Sequence, residues 1–419
     1  GEGDDFIVMP ALSGVAGTGK YFNIGNGNQV KRVISGQVED VDELRLTEPR
    51  FHGQELKLIG HTLTGIGAGP VYADLSDSGL EDDNGDKFKT VGGALWVRPE
   101  NSVYYPENHG WTEGDDIAPY LLKWAASSKD TFAFKDGAVS ALLGSPVEID
   151  MSAVTTKIKV LNQGGVFFDQ TAAGNNLVVT SSTKDSLLPF FILNGGETNL
   201  VDGASVGIHI RDVRNFRAFG HVVYGDKTKA SSRGDGFLIE NVDSYTERTM
   251  LIGCSAPFTK HHVRWHMAGG EDGGLSFART IIRDFMVSGG VAGEDLFAIT
   301  TDIEVTVNIG LGNAPSYTIG ETVVQDNTGA TGVVIGWPES RDIIYLKNVT
   351  GSFNSTDNVV GQSSGSNIAS TNVTIDRLPN VYDSEISGIR GNINNGVIVM
   401  ALGGGMTGTR IEAFGVETA

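Results

Sequence analysis

The sequence predicts an all-β protein whose main part is a β-solenoid. Three observations support this prediction: the glycine content, a degenerate repeat and a single well-marked helix. Glycine accounts for 57 of 419 residues and proline for only 12, a balance that favours many tight turns over disorder. Apolar residues make up 40% of the chain, which is enough for a substantial core. The length suggests roughly two to three domains.

Residues 1–110 are predicted to form a lead-in region followed by a small β cap. The first residues, up to about position 40, are rich in Gly and Val and alternate only weakly. The stretch GQELKLIGH then places Leu56 and Leu58 among polar residues with the period of two that strands show. A Gly-rich strand pair follows and ends in GGALWVR. This order predicts several short strands before residue 110.

A short helix is predicted within residues 111–130. Asp115 and Asp116 stand directly before IAPYLLKWAASS, and Pro119 falls in the first turn, where its missing N–H does no harm. An amphipathic helix at this place can cover the open end of a solenoid, whose unpaired backbone groups would otherwise favour aggregation.

The solenoid itself is predicted from a repeat beyond Ser127, in which an apolar residue, any residue, Asp or Asn and a second apolar residue follow one another. The copies begin at Ile210, Ile239 and Ile282, with weaker ones at Ile386 and Ile411. Spacings of 43 residues (Ile239 to Ile282) and 25 residues (Ile386 to Ile411) suit coils of about 20 to 25 residues, with the longer spacing as two coils. Asp and Asn tolerate a left-handed bend, so the third positions are predicted to form a hydrogen-bonded bend column rather than catalytic groups: Asp212, Asn241 and Asp284.

Three segments of residues 41–127, taken in order, resemble the opening segment of phage tailspikes and capsule depolymerases: VDELRLTEPRFHGQELKLIGH, GGALWVR and WTEGDDIAPYLLKWAA. In that family a small cap domain leads through a short helix into a right-handed parallel β-helix. The resemblance implies a homotrimer, mounted in the virion by tail or baseplate proteins, that binds and usually cleaves capsule, O-antigen or exopolysaccharide at the bacterial surface. It also implies a carboxylate pair on the outer wall of the β-helix or between subunits.

An inserted module is predicted where the repeat is interrupted. Ile282 and Ile386 are 104 residues apart, and the intervening YTIGETVVQDNTGATGVVIGW resembles a small all-β module with GETV and TGATG signatures found in phage tail and baseplate proteins. The predicted domains are therefore a cap at 1–110, a helix at 111–130, a parallel β-helix at 131–302, a small β-sandwich or barrel at 303–374 and final coils at 375–419.

The net charge of −20 makes two classes of partner unfavourable. Nucleic acid is disfavoured because phosphate binding needs clustered Lys and Arg. Simple attraction to an acidic glycan is disfavoured too, which leaves open a neutral glycan or an acidic one held by local basic groups. The sequence has no run of 18 apolar residues and no signal peptide, so we expect a soluble chain without membrane insertion.

Candidate site residues follow from the repeat frame, in which the second position points outward. Arg211, Glu240 and Arg283 are then outward, as are Arg214 and Asp243. In HHVRWHM, residues Val263, Trp265 and Met267 share one face, and His262, Arg264 and His266 share the other. We therefore predict Glu240 and Asp243 as catalytic acid and base or nucleophile, with Glu271 and Asp272 in reserve. The predicted substrate-binding residues are Arg211, His262, Arg264 and His266.

The geometry of a solenoid suits this chemistry. Carboxylates at equivalent positions lie roughly 5 Å apart on neighbouring coils and roughly 10 Å apart when one coil intervenes. These distances bracket the separations used by retaining and inverting glycosidases. The competing interpretation of each outward charged residue is an ordinary solvated surface.

Other chemistries receive little support from the sequence. No metal or other cofactor is predicted, because a zinc site from His262 and His266 would need a helix where the alternation indicates a strand. No GxSxG elbow is present, and GVAGTGK lacks the Ser or Thr of a phosphate loop because Tyr21 follows Lys20. Cys254, the single cysteine, excludes a disulfide framework and is interpreted as a buried apolar residue.

Three functional hypotheses therefore remain. A polysaccharide hydrolase would create reducing ends without ultraviolet absorbance. A polysaccharide lyase would use a His or Tyr base with an Arg and would yield an unsaturated, absorbing product. A non-catalytic adhesin or structural spike would bind glycan or virion and yield no product.

Overall fold

The computed structural model describes most of the chain from Lys20 onward. The described residues are 20–23, 29–32, 36–62, 64–76, 81–99, 102–135, 140–162, 167–172, 174, 176–181, 190–201, 205–225, 234–244, 246–267, 276–289, 297–301, 305–336, 341–375, 380–393, 398–401 and 406–418. The chain divides into two compact units, residues 1–115 with 132–135 and residues 116–131 with 136–419.

The first unit is a small β domain. It contains helix α1 (Val41–Arg45), a 3₁₀ helix (Pro106–His109) and strands β1 (Lys20–Asn23), β2 (Gln29–Arg32), β3 (Gln37–Val38), β4 (Glu55–Gly60), β5 (Thr64–Asp74), β6 (Lys87–Lys89), β7 (Leu95–Val97) and β8 (Val103–Tyr104). Five of these strands form one sheet in the order β3-β4-β5-β7-β6. The predicted alternation is present in β4, where Leu56 and Leu58 are buried with Phe88 and Trp96. The side chain of Asp40 accepts a hydrogen bond from the Glu43 amide and so caps α1.

The second unit begins with helix α2 (Ala118–Ala126), which has Pro119 in its first turn as predicted. Short strands follow: β9 (Thr131–Phe132), β10 (Ser140–Leu143), β11 (Val147–Asp150), β12 (Ile158–Asn162), β13 (Phe167–Gln170), β14 (Leu177–Thr180), β15 (Phe190–Asn194), β16 (Glu197–Asn199), β17 (Val206–Arg211), β18 (Phe216–Phe219), β19 (Val222–Tyr224), β20 (Asp235–Asn241), β21 (Met250–Ile252), β22 (His261–Met267), β23 (Ser276–Ala278), β24 (Ile281–Arg283), β25 (Met286–Gly289) and β26 (Phe297–Thr301).

The remaining strands complete the chain. They are β27 (Val305–Asn308), β28 (Thr322–Gln325), β29 (Thr331–Gly336), β30 (Ile343–Thr350), β31 (Asn358–Gly361), β32 (Asn367–Ala369), β33 (Asn372–Ile375), β34 (Asn380–Tyr382), β35 (Glu385–Ile393), β36 (Ile398–Ala401), β37 (Met406–Thr407) and β38 (Arg410–Thr418). A second 3₁₀ helix spans Ala314–Ser316.

Most strands of the second unit stack into parallel sheets that the chain visits in turn. Sheet A has the order β11-β14-β17-β20-β22-β26-β36, sheet B includes in this order β25-β35-β24-β21-β18-β15-β12 with β38 also paired with β35, and sheet C has the order β10-β13-β16-β19. A further sheet has the order β23-β34-β37. Each strand pairs in parallel with the equivalent strand of the next coil, as Ile210 of β17 does with Ile239 of β20. The predicted parallel β-helix is therefore confirmed.

The repeat frame was only partly correct. Ile210 and Ile239 are partners in sheet A, but Ile282 lies in sheet B, where it pairs with Leu251 and Ile386. Each coil presents several similar inward-facing apolar strands, so the pattern alone did not identify the sheet. Coil lengths vary: Ile386 and Ile411 are register partners 25 residues apart, as predicted, whereas Val179 and Ile210 are 31 residues apart.

The bend residues form more than one column. The bend that follows the strands of sheet B is left-handed and is occupied by Gly195, Gly220, Gly253, Asp284 and Gly388. Asp212 adopts a positive φ of 53° at a different bend, and its carboxylate accepts hydrogen bonds from the amides of Val242, Asp243 and Ser244. Asn241 is fully buried, and its side chain accepts from the Thr246 amide. The three predicted residues are thus structural, as expected, but do not share one column.

Helix α2 lies against the first coil through one buried cation. Lys159 takes an inward position of β12 and is 0% exposed. Its Nζ donates hydrogen bonds to the carbonyl oxygens of Trp124 at 3.0 Å, Ser127 at 2.8 Å and Lys129 at 2.7 Å, at and just beyond the C-terminus of α2. Burial lowers the pKa of Lys159 to about 8. Trp124 also packs edge-on against Phe191, so the helix closes the core above β12 and β15.

His221 is a second polar residue inside the β-helix. Its ring is fully buried, with Nδ1 2.8 Å from the carbonyl oxygen of Gly195 and Nε2 3.1 Å from the hydroxyl of Thr198 on the preceding coil. Burial lowers the pKa of His221 to about 4, against a slightly raising effect of the Gly195 carbonyl. The neutral imidazole therefore links two neighbouring coils.

Acidification is expected to destabilise the β-helix through His221. The unfolded-state histidine has a pKa near 6.5, so between pH 6.5 and pH 4 the unfolded chain binds a proton that the folded chain excludes. The free energy of unfolding should fall by up to about 3 kcal/mol over this window, and His221→Gln should remove that part of the loss. Denaturant unfolding of both proteins at pH 7, 5.5 and 4.5 measures the difference. Equal losses in the two proteins would rule out His221 as a source of acid sensitivity.

Residues 305–375 form an antiparallel sheet with its own core. The strand order is β32-β31-β28-β29-β30-β27-β33, and the core includes Val323, Val334, Leu346 and Phe353. The two end strands, β32 and β33, are consecutive in the chain and separated by only two residues, so the sheet must curl until its ends come near each other. Its first and last strands pair, with Val305 opposite Ile375. The parallel ladder continues across this segment, because β24 pairs with β35 and β26 with β36.

Candidate active site

The outer face of sheet A carries most of the predicted site residues, because its strand register aligns outward positions on successive coils. One row of partners runs Glu148, Val178, His209, Leu238 and Arg264. A second row lies two residues further along the strands and contains Asp150, Thr180, Arg211, Glu240 and His266. The inward positions between the two rows are apolar and fully buried: Ile149, Val179, Ile210, Ile239 and Trp265. The alternation of these strands therefore collects acids and bases on one outer surface.

Glu240 lies at the centre of this surface. Its Oε2 is 2.7 Å from Nε2 of His209, and its Oε1 is 3.6 Å from Nε2 of His266. Although it faces outward, its side chain is only 11% exposed. Burial acts to raise the pKa of Glu240, but the hydrogen bond and charge of His209 and the charges of His266 and Arg211 together hold it below its usual value. Glu240 is therefore an ionised carboxylate set between two imidazoles.

Arg211 connects Glu240 to a second carboxylate. Arg211 is the register partner of Glu240 on the neighbouring coil, and its Nη2 lies 2.7 Å from Oε1 of Glu148. The Glu148 side chain is 54% exposed and so remains accessible to a ligand. Arg211 thus lies between two acidic residues of the same face.

A second cluster occupies the other end of β20 and β22. Oδ1 of Asp235 is 2.6 Å from Nδ1 of His261, and Oδ2 is 3.2 Å from Nη1 of Arg264. Burial acts to raise the pKa of Asp235, but His261 and Arg264 outweigh it and keep this carboxyl ionised. Burial lowers the pKa of His261 by more than Asp235 raises it. The result is a buried carboxylate that orients an imidazole through its Nδ1 nitrogen.

The structure brings together half of the predicted site residues. Glu240, Arg211, Arg264 and His266 share the outer face of sheet A. Asp243 lies in the turn after β20, where it is exposed and its amide donates to Asp212. Glu271 and Asp272 lie outside the described residues. The functional roles of all the predicted site residues stay a prediction.

Three other placements were wrong. His262 is fully buried, with Nε2 3.2 Å from the Ser288 carbonyl oxygen and its ring edge-on to Phe285. The parallel pairing of β22 with β20 leaves out His262. On the preceding coils the same position is occupied by Gly236 and Gly207. A Cβ there would meet the core residues Val223 and Ala256. The alternation therefore breaks at His262 and turns it inward.

Arg283 and Arg214 are also displaced from the predicted column. Arg283 lies in sheet B and forms a bidentate ion pair with Glu385 on the next coil. Arg214 follows β17 and forms an isolated backbone β-bridge with Glu247, away from the rows of sheet A. The error at Arg283 follows from the mixing of two sheets in one repeat frame, and the error at Arg214 from the bend at Asp212, which ends the alternation after Arg211.

The sequence analysis missed His209, Glu148, Asp235 and His261. A signal for His209 existed, because the alternation in VGIHIR places His209 and Arg211 on one face. Asp235 and His261 occupy equivalent positions near the starts of β20 and β22, which only the coil register reveals.

Within the described ranges, no group of three His, Cys, Asp or Glu side chains is arranged to hold a metal ion.

Comparison with known proteins bears first on the N-terminal unit. Residues 37–101 match the family described as phage tail protein small four-stranded beta-sheet domain. This match lies within the small β domain of the first unit and agrees with the phage tail resemblance predicted for this segment. The observed sheet has five strands, of which β3 contains only two residues. The match also supports the predicted location in a phage tail. No curated protein sequence matches the chain.

Several solved structures are similar to this chain over most of its length. WceF of Pantoea stewartii, a glycan biofilm modifying enzyme with a tailspike-like parallel β-helix fold, is 12% identical with a TM-score of 0.44, covering 93% of this chain and 51% of that one. The tailspike gp49 of Acinetobacter baumannii bacteriophage Fri1, a capsular polysaccharide depolymerase, is 12% identical with a TM-score of 0.40, covering 87% and 61%. Tailspike protein 2 of bacteriophage CBA120 is 14% identical with a TM-score of 0.38, covering 91% and 52%.

The chain spans about half the length of these structures, including 52% of the enzymatically active domain of tailspike protein 2 and 44% of the full-length protein. All three TM-scores are below 0.5, so the fold assignment rests on the strand register of this chain. Among the helices in the part of the chain that the structure describes, none is long and apolar enough to cross a bilayer.

Proposed function

We propose that this chain is a phage tailspike that binds and degrades bacterial surface polysaccharide on the outer face of sheet A. The observation that carries the proposal is Glu240, an ionised and largely buried carboxylate held between His209 and His266 on an outward-facing surface. A perturbed carboxylate with bases beside it is a common arrangement at catalytic sites. The phage tail domain at residues 37–101 supports a role in the virion, where other tail or baseplate proteins would be its partners.

Hydrolysis by a carboxylate pair is the reaction that we favour. Because Glu240 is ionised, it suits the role of base or nucleophile, and a second carboxyl must protonate the leaving oxygen. Asp243 is the candidate for this second role, because it follows Glu240 by three residues. Glu148 lies three strands from Glu240 across sheet A, roughly 14 Å away, which exceeds the separations that glycosidases use. We expect Asp243→Asn to depress kcat most strongly on substrates with poor leaving groups, whereas Glu148→Gln should not show this dependence on the leaving group.

A lyase is the second candidate, and the combination of His209, His266 and Arg211 favours it. Such an enzyme abstracts a proton beside a uronate with a histidine while an arginine neutralises the carboxylate. The two imidazoles and the guanidinium are close enough to act on one bound sugar, because all three surround Glu240. The products distinguish this reaction from hydrolysis.

The test is incubation of the purified chain with bacterial capsule, O-antigen and exopolysaccharide, followed by assays of reducing ends and of ultraviolet absorbance. Reducing ends without absorbance indicate hydrolysis, and both signals together indicate elimination. Glycan binding without either product would leave an adhesin and overturn the enzymatic proposal. Absence of both binding and products across the glycans would overturn the proposed function as a whole.

We also propose that the chain assembles as a homotrimer through the outer face of sheet B. The outward positions of this sheet alternate with fully buried ones, yet they too are mostly apolar and half-buried: Ile158, Val160, Phe190, Ile192, Phe219, Met250, Ile252 and Ile281. Cζ of Arg217 lies 5.1 Å from the Phe190 ring centre and adds to this apolar surface through its stem. Contiguous apolar surface of this kind marks association sites. Light scattering of the purified chain measures the mass, and a monomer at micromolar concentration would contradict the proposal.

A further inference from the structure

The cations around Glu240 are already paired with protein carboxylates. Arg211 contacts Glu148 at 2.7 Å, and Arg264 contacts Asp235 at 3.2 Å. His209 and His266 both face Glu240, at 2.7 and 3.6 Å. Among the described residues of these two rows, each Arg and His therefore has an acidic neighbour.

An anionic sugar would meet an unfavourable field at this surface. A uronate, sulfate or phosphate group would have to displace Glu148 or Asp235 from its arginine, and it would then lie beside the ionised Glu240. The chain as a whole carries a net charge of −20, which opposes the approach of any polyanion. Lys260 is exposed, but it precedes β22 and lies roughly 20 Å along the strand from the Glu240 row.

Uncharged sugars suit the same surface well. Each hydroxyl group both donates and accepts hydrogen bonds, and the two rows together present carboxylates, guanidinium groups and imidazoles as acceptors and donors on one face. The exposed Glu148 and its partner Arg211, one from each row, form such a pair.

We infer that the polysaccharide segment bound over Glu240 is a neutral glycan, built from sugars without carboxylate, sulfate or phosphate groups. This inference rests on the proposed function and specifies its substrate class. It also selects the reaction, because elimination needs a uronate. In hydrolysis the bond between the anomeric carbon and the glycosidic oxygen breaks, the hydroxyl of a water molecule joins the anomeric carbon, and a proton goes to the departing oxygen.

The probe is a panel of purified bacterial capsular and O-antigen polysaccharides, divided into neutral and uronate-containing members. We expect reducing ends from at least one neutral member, without ultraviolet absorbance, and an initial rate that changes less than about twofold between 20 and 500 mM NaCl. Cleavage confined to uronate-containing members would overturn the inference. So would a rate that falls tenfold or more with salt.

Carboxyl reduction provides an independent arm of the experiment. Any uronate-containing member that is cleaved is treated with carbodiimide and borohydride, which converts its carboxylates into hydroxymethyl groups without shortening the chain. The inference predicts that the reduced polymer is cleaved at least as fast as the original. Loss of cleavage on reduction would show that the site requires the anion.

A binding measurement separates failure of this inference from failure of the proposed function. The original protein and Glu240→Gln are both titrated with the intact polysaccharides in a calorimeter, so that binding is measured with the Glu240 charge present and also without turnover. Affinity for a neutral member that varies less than threefold with salt supports the inference, and affinity for acidic members alone overturns it. If no member is bound or cleaved, the proposed function itself fails and this inference falls with it.

Discussion

Replacement of Glu240 by glutamine is expected to reduce the rate of polysaccharide cleavage by at least about 10³-fold while the β-helix stays folded. Glutamine removes the ionised carboxylate that acts as base or nucleophile. Its amide oxygen can still accept the hydrogen bond from His209, which Glu240 receives at 2.7 Å, so the packing of the outer face should be kept. The measurement is kcat for release of reducing ends from the cleaved polysaccharide, together with a circular dichroism spectrum of the variant.

The control is Glu81→Gln. Glu81 is also an exposed carboxylate in an ion pair, with Lys89, but it belongs to the first unit and not to the β-helix. We expect its cleavage rate to stay within about twofold of the original protein, because exposed ion pairs contribute little to stability. A Glu240→Gln variant that keeps more than a tenth of the original rate would remove Glu240 from the catalytic step.

Lys159→Met is expected to cause the largest loss of stability, about 3 to 5 kcal/mol in the second unit. Methionine can occupy much of the space, but it donates no hydrogen bond, so the carbonyl oxygens of Trp124, Ser127 and Lys129 lose their shared donor. The Trp124 carbonyl keeps the amide and hydroxyl of Ser127 as donors, but the loss of three hydrogen bonds from one charged donor is costly in the interior. The loss should be concentrated where α2 closes the core.

Hydrogen exchange tests this expectation without requiring two-state unfolding of a chain with two units. The amides of α2 and β12 should exchange at least about a hundredfold faster in Lys159→Met, since 2.7 kcal/mol corresponds to that factor. Lys157→Met is the control, because Lys157 is exposed and lies just before the same strand. Similar exchange in the two variants would show that the buried ammonium group does not hold the helix in place.

The sequence predicted those features that depend on local pattern. Alternation gave the buried Leu56 and Leu58 of β4, and Asp115, Asp116 and Pro119 marked the start of α2. Alternation also placed Glu240 and Arg211 on one surface, since their strands keep a period of two. These predictions needed no knowledge of which strand pairs with which.

Features that depend on register between distant coils could not be predicted in the same way. Ile239 and Ile282 have similar neighbours but lie in different sheets, so the sequence pattern led to an outward column that included Arg283. His262 broke the alternation because it replaces the glycines at positions 207 and 236 of the preceding coils. Asp235 and His261 are 26 residues apart and meet only through the pairing of β20 with β22. A single sequence contains no direct signal for such pairs.

Because Val305 pairs with Ile375, residues 305–375 form a self-contained module. Cross-strand partners in an antiparallel sheet lie about 5 Å apart, so the chain departs from the β-helix and rejoins it at nearly one point in space. The coils on either side pair directly with each other through β24 with β35 and β26 with β36. We therefore expect removal or exchange of this module to leave the register of the coils that carry Glu240 unchanged.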